Sequence, residues 1–189
     1  MAKDLPIQCS CGALRGVLRG VSGEHGNRIV CYCDDCQTFA HFLERAAEIL
    51  DPHGGTDIFQ TSPVRLEITE GADRLACIRL TSRGIVRWYT SCCKTPIGNT
   101  LPTRQMPFVG LVHSCMDSNS RDAALGPVRS RVQARYAVGD RSSLDAVDGA
   151  PRGMLPRLLW MMLLNRLHGD HVGSPFFDPA SGAAVATPH

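Results

Sequence analysis

The stretch Cys31-Tyr32-Cys33-Asp34-Asp35-Cys36-Gln37 decides how the rest of the chain reads. Thiolates separated by one or two residues can turn back onto a single ion, which zinc takes in a tetrahedron with bonds of about 2.3 Å to sulfur. Working outward, Cys9-Ser10-Cys11-Gly12 precedes this triplet and Cys92-Cys93 follows it, while Cys77 and Cys115 stand alone. Seven of the nine cysteines therefore fall into doublets or a triplet. An odd count in tight groups reads as metal ligands rather than as a disulfide framework. Zinc, as one or two ions, is the expected cofactor.

The triplet carries the chemistry. Cys31, Cys33 and Cys36 supply three ligands and leave one position open unless Cys93 or His41 completes the tetrahedron. An open position marks a catalytic rather than a structural zinc. Cys9, Cys11, Cys92 and Cys93 are the candidate ligands of a second, closed ion that ties the start of the chain to its middle. Directly adjacent cysteines share one ion less comfortably than spaced ones. Cys93 is thus the better ligand of its pair, and Cys92 is free to turn toward the triplet. An iron site of the rubredoxin type has the same ligand count but normally shows paired C-x-x-C spacing. A redox pair of Cys33 and Cys36 would call for a thioredoxin-like alternation of strands and long helices.

Around these groups the sequence is mainly β. Runs rich in Val, Ile, Leu and aromatics predict strands at 13–18, 28–32, 57–60, 64–68, 75–80, 84–89 and 107–112. Gly71-Ala72-Asp73 and Ser82-Arg83-Gly84 read as hairpin turns. Apolar residues from Phe39 to Leu50 recur at helical spacing, stopped by Asp51-Pro52 and Gly54-Gly55. The expected organisation is a zinc-binding β domain at 1–115, an irregular connector at 116–150, an apolar helix at 151–168 and a flexible tail at 169–189. The apolar residues of that helix surround its axis, which predicts burial against its own domain, with a homodimer contact as the sharper reading.

Composition narrows the function classes. The chain has 189 residues with 20 Lys plus Arg against 18 Asp plus Glu, a balance of +2 that argues against a nucleic-acid partner. The longest apolar run, Leu158 to Leu164, is seven residues, against about 20 for a membrane span, so no membrane partner is expected. The N-terminus lacks the apolar core of a signal peptide, which together with the clustered thiols predicts a cytoplasmic protein.

At three places the residues match a known pattern. Cys9-Ser10-Cys11-Gly12, Cys31-Tyr32-Cys33-Asp34-Asp35-Cys36 and Cys92-Cys93-Lys94-Thr95-Pro96 resemble, in order, the CxCG, CxCxxC and CxxCGTP motifs of the glutathione-dependent formaldehyde-activating enzyme family. The resemblance spans roughly residues 7–115. It implies a β-tent fold of small antiparallel sheets, a structural zinc on Cys9, Cys11 and Cys93, and a catalytic zinc on Cys31, Cys33 and Cys36. The implied reaction is carbon–sulfur lyase chemistry, in which formaldehyde and glutathione join as S-hydroxymethylglutathione. The chain departs from the pattern where Thr90 stands for the first cysteine of the last motif and Lys94 for its glycine.

Three readings follow. The first is an enzyme acting on the adduct of a small thiol, such as glutathione, with an aldehyde. The second is a non-catalytic, zinc-stabilised binding module that uses the C-terminal helix as its contact. The third is a thiol-based zinc or redox sensor. Asp34, Asp35 and His41 lie close enough in sequence to the triplet to serve as acid–base groups or to orient a ligand. Trp88 and Tyr89 read as packing.

Overall fold

The computed structural model describes residues 2–142 and 144–187. Two sheets form its frame. Strands β1 (Lys3–Gln8), β2 (Arg15–Val21) and β5 (Leu66–Glu70) make a three-stranded antiparallel sheet in the order β1-β2-β5. The second sheet has seven strands in the order β10-β3-β4-β9-β8-β7-β6, from β3 (Asn27–Cys31), β4 (Thr56–Thr61), β6 (Leu75–Ile78), β7 (Val86–Thr90), β8 (Pro96–Thr100), β9 (Val109–Val112) and β10 (Ser130–Val132). Only the edge pair β10–β3 is parallel among the described residues. The mainly β architecture with a C-terminal helix is as expected, though one sheet is larger than small antiparallel units would be.

All seven predicted strands are present, and three more join them. β1 contains Pro6 and lies at a sheet edge, where the missing N–H costs no ladder bond. β8 reads Pro-Ile-Gly-Asn-Thr, poor in strand formers, yet all five residues are buried between β7 and β9. Gly98 has to be small there, because a Cβ on it would stand 3.1 Å from the Gly110 carbonyl oxygen. Ser82–Gly84 does turn the β6–β7 hairpin. Gly71 does not make a hairpin: it carries the chain from one sheet to the other at φ 69°, with its Cβ position 2.1 Å from the Ala13 carbonyl oxygen.

The core lies between the sheets, where Leu5, Ile7, Leu18, Phe59, Trp88, Ile97 and Leu111 are each less than 3% exposed. The helix expected from Phe39 to Leu50 is two. α1 (Asp34–Phe42) begins inside the cysteine triplet and α2 (Ala46–Ile49) follows a break at Glu44, whose φ is 59°. The break is held from outside. Lys94 Nζ meets Glu44 Oε1 at 2.6 Å, and Arg45 Nη1 donates to the Cys93 carbonyl at 3.0 Å.

The C-terminal third corrects the sequence reading most. The connector contains α3 (Arg121–Leu125) as well as β10, so it extends the main sheet rather than linking two bodies. The tail is packed, not free: Phe176 is fully buried with its ring centroid 4.9 Å from that of Trp88, and Cys77 Sγ donates to the Ala186 carbonyl at 3.3 Å. A Pro- and Gly-rich segment hides such anchors, since two adjacent Phe residues are too few to show a period. α4 (Met154–Leu167) forms as predicted but is not buried. Met162 alone within it falls in the core, whereas Leu155, Leu159, Trp160, Leu163 and Leu167 are between 48% and 73% exposed. No described helix is long and apolar enough to cross a membrane.

Candidate metal centres

All nine cysteines are unpaired thiols, and seven gather into two groups. The first lies where the β1–β2 connection meets the β7–β8 turn. The backbone N–H of Cys9 donates to the Leu14 carbonyl at 3.0 Å and that of Gly12 to the Cys9 carbonyl at 2.9 Å, which turns Cys9 and Cys11 to one side. Opposite, the N–H of Lys94 donates to the Thr90 carbonyl at 2.8 Å, a tight turn that places Lys94 at φ 56°. This is the position where the resembled motif has glycine, the residue at ease in that conformation. The Ser10 N–H donates to Thr95 Oγ1 at 3.0 Å and ties the two turns together.

Their sulfurs form a compact figure. Cys9 and Cys11 are 3.5 Å apart, Cys9 and Cys92 3.9 Å, Cys11 and Cys92 3.4 Å, and Cys92 and Cys93 3.8 Å. A tetrahedral zinc with bonds of about 2.3 Å has sulfur–sulfur edges of roughly 3.8 Å, so four thiolates here fit one ion. Cys92 therefore turns toward Cys9 and Cys11, not toward the triplet. The Thr90 hydroxyl lies 3.3 Å and that of Thr95 3.2 Å from Cys93 Sγ. Burial raises the Cys93 thiol, but hydrogen bonds from Ser10, Thr90 and Thr95 outweigh it and bring it down to about 4. Loss of hydration and the neighbouring Cys11 sulfur push the Cys92 thiol up to about 12.

The second group is built at the end of β3. Cys31 is the last residue of that strand, paired across to Thr56 of β4 on one side and to Val132 of β10 on the other. Cys33 caps α1, and its carbonyl accepts the N–H of Cys36 at 3.0 Å. Gln37 Nε2 donates to the carbonyls of Tyr32 at 2.7 Å and Tyr136 at 2.9 Å, which pins the loop between them. The sulfurs of Cys31, Cys33 and Cys36 lie within 4.8 Å of one another, and among the described residues no fourth His, Cys, Asp or Glu joins them. Cys93 belongs to the other group, and His41 is exposed in the last turn of α1 outside both.

Such crowding keeps the three thiols from ionising together. Hydrogen bonds from Cys31 and Cys36 hold the Cys33 thiol down to about 3, while the bond to Cys33 pushes Cys31 up to about 11. Cys36 is raised by its bonds to Cys31 and Cys33 and by burial. A divalent cation lifts that exclusion by stabilising every thiolate at once, so the donor chemistry suits one. Each group can thus hold a metal ion.

A buried cation stands beside the triplet. Arg87 is the second residue of β7, with its side chain 3% exposed, and its Nη1 is 3.9 Å from Cys36 Sγ. The guanidinium also reaches Asn99 Oδ1 at 3.4 Å and Asp35 Oδ2 at 3.4 Å, and lies 5.5 Å from the Phe39 ring centroid. Asp35 is therefore committed to an ion pair, and Asp34 accepts the Asp35 N–H at 3.0 Å. A space of about 10 Å³, the size of one water molecule, opens between Cys36, Thr56, Arg87 and Asn99. The Thr56 hydroxyl beside it is buried and has no hydrogen-bond partner. From the other side Val132 and Met154 pack near the three cysteines.

Arg87, Asn99 and Thr56 escaped the sequence reading, which named Thr90 only as the residue in place of a motif cysteine. The available signal was Arg87 itself, a charge within the apolar run Ile85-Val86-Arg87-Trp88-Tyr89. The isolated thiols are accounted for by packing: Cys77 and Cys115 are at most 1% exposed, and burial raises the Cys77 thiol to about 11 and that of Cys115 to about 12.

A family model described as "Family of unknown function (DUF6151)" matches residues 1–187. No curated protein matches the chain. Among solved structures, a crystal structure of a Rhodobacter sphaeroides protein, a Northeast Structural Genomics target, is similar at 20% identity and a TM-score of 0.41, over 65% of this chain and 96% of that one.

Proposed function

The chain belongs to the DUF6151 family of unknown function, and we propose that in it this protein is a two-zinc enzyme of carbon–sulfur chemistry, acting on the adduct of a small thiol with an aldehyde. One observation carries the reading: three sulfurs, from Cys31, Cys33 and Cys36, stand together with no fourth protein ligand among the described residues, whereas the other group is complete with four. The four-sulfur ion would be structural. A zinc held by the triplet supplies Lewis acidity to an aldehyde oxygen or holds a thiol as its thiolate.

The chain's own groups serve the same end. Three thiolates and a divalent ion leave one net negative charge, which the buried Arg87 guanidinium offsets. The space beside Arg87, Asn99 and Thr56 has room for one water molecule at most, with Phe39, Ile49, Pro96 and Val112 completing its lining. Cys31 and Cys33 are only partly buried, so a thiol approaches from their side. In the forward direction the thiolate sulfur attacks the aldehyde carbon, the new carbon–sulfur bond forms, and the carbonyl pair moves to oxygen, which takes a proton from water. The formaldehyde–glutathione pair is the substrate choice that the motif resemblance supports.

A second reading, in which the triplet metal only stabilises a binding module, has its own observation. Val132 and Met154 of the C-terminal third pack near the triplet. Elemental analysis with an activity assay separates the two. The enzyme predicts two zincs in the wild type, one in Cys33→Ser, a folded variant, and loss of thiol–aldehyde exchange measured by NMR line broadening. Two zincs with no exchange for any small thiol and aldehyde would leave the binding module.

A further inference from the structure

We propose that the cleft between α4 and the β2–β3 turn binds a single-chain anionic amphiphile, a carboxylate or phosphate head on a medium-length alkyl tail. The cleft has a volume of about 400 Å³, within the range of roughly 300–1,000 Å³ typical of small-molecule sites. Its floor is the inward row Leu158, Met161 and Leu164 of α4, and Trp160 forms a wall. Its rim carries Arg65 and Arg157.

Both halves of this cleft lack what they need. Arg65 has Nη1 fixed by the carbonyls of Gly20 at 2.9 Å and Arg19 at 3.3 Å, and neither Arg65 nor Arg157 forms an ion pair among the described residues. Glu24 is the one carboxylate in the lining, so two guanidinia face a single acid. Beneath them lies apolar surface open to water, continuous with a Trp160 side chain that is 61% exposed. A ligand that is apolar along its length and anionic at one end satisfies both, because tail burial and a charge-assisted head contact come from the same molecule.

Charge also argues against a second copy as the occupant. From Arg152 to Gly169 the sequence holds three arginines and no acid. Antiparallel pairing of α4 with a second copy would bring like charges into a drying seam, a costly arrangement. At 14 residues and 1.5 Å per residue α4 is about 21 Å long, so an anionic bilayer, which the same arginines would attract, could be met only along its surface and is the outcome that the vesicle titration decides.

The test uses the tryptophans. Trp88 is fully buried and Trp160 exposed, so a change in emission on titration reports α4. Sodium dodecanoate, added to the full-length protein below its micelle concentration, is expected to give a saturable one-to-one blue shift. Arg157→Glu should weaken binding about 10-fold or more with unchanged circular dichroism, and Arg157→Lys should retain most of it. Dodecyltrimethylammonium should not compete. The proposal falls if the cationic amphiphile binds as well, if no shift occurs, or if it appears only with anionic lipid vesicles. It also falls if raising the protein concentration alone produces the shift, which would mean a second copy covers α4.

Discussion

Arg87 Nη1 stands 3.9 Å from Cys36 Sγ on a side chain that is 3% exposed. A guanidinium stays charged at any physiological pH, and burying it without anions nearby is costly. Here the compensation comes from the sulfur group, with Asp35 and Asn99 filling the remaining donors. The arginine and the triplet thus support each other: each needs the other's charge.

Removing that charge should loosen the triplet metal selectively. Arg87→Met is expected to speed chelator extraction of one zinc equivalent by about 10- to 100-fold and to leave the other equivalent unchanged. Arg87→Lys, which keeps the charge but not the planar fork, should lie between. Equal extraction rates for wild type and Arg87→Met would show that the guanidinium does not stabilise the bound ion.

The four-sulfur centre joins turns more than 80 residues apart, with Cys11 Sγ 3.4 Å from Cys92 Sγ. Its loss should therefore be felt by the whole fold. Cys11→Ser is expected to lower the melting temperature by about 10 °C, equivalent to about 3 kcal/mol in a chain of this size, whereas Cys33→Ser should shift it by less than half of that. Differential scanning calorimetry decides it, and a larger loss from Cys33→Ser would make the triplet the structural site.

Lys94 should tolerate the residue of the resembled motif. At φ 56° glycine relieves the backbone, while the ion pair to Glu44 is exposed and contributes little. Lys94→Gly is expected to be neutral within about 0.5 kcal/mol, and Lys94→Val, branched at Cβ, to cost about 1–2 kcal/mol in urea unfolding. A neutral Lys94→Val would mean that the turn relaxes.

His113 gives a pH signature. Burial lowers its pKa below 6.5, with the charges of Arg121 and Arg28 acting the same way against the attraction of Asp57. The neutral ring is thus favoured in the folded state and the unfolded chain binds the extra proton. The resulting stability is full above the unfolded value of 6.5 and is lost as pH falls through the folded one. His113→Gln should flatten the fall in urea midpoint between pH 7 and pH 5 relative to wild type. Parallel curves for the two proteins would remove His113 as a cause.

The tail is part of the core. Phe176 lies on Trp88, so Phe176→Ala is expected to cost about 3–5 kcal/mol, read from the urea midpoint. Val185→Ala, at a half-exposed position, should cost less than about 1 kcal/mol. A small effect of Phe176→Ala would show that the segment packs only loosely.

What the sequence determined by itself was local. The spacing of Cys31, Cys33 and Cys36 reads as a ligand triplet because neighbouring thiols can close on one ion without help, and alternating Val, Ile and Leu runs read as strands because side chains alternate across a sheet. The tertiary structure alone decided which groups meet. Cys92 joins Cys9 and Cys11 because the β7–β8 turn reaches the β1–β2 connection, a contact no local pattern carries. Arg87 reaches the triplet although β4, β9 and β8 separate β7 from β3 in the seven-stranded order, because α1 brings Cys36 and Phe39 over its guanidinium, and β8 itself was unreadable because its polar residues are buried by neighbours on both sides. The exposed face of α4 and the buried Phe176 invert the expectation from hydropathy for the same reason. Burial belongs to the surface an element meets, and that surface comes from distant parts of the chain.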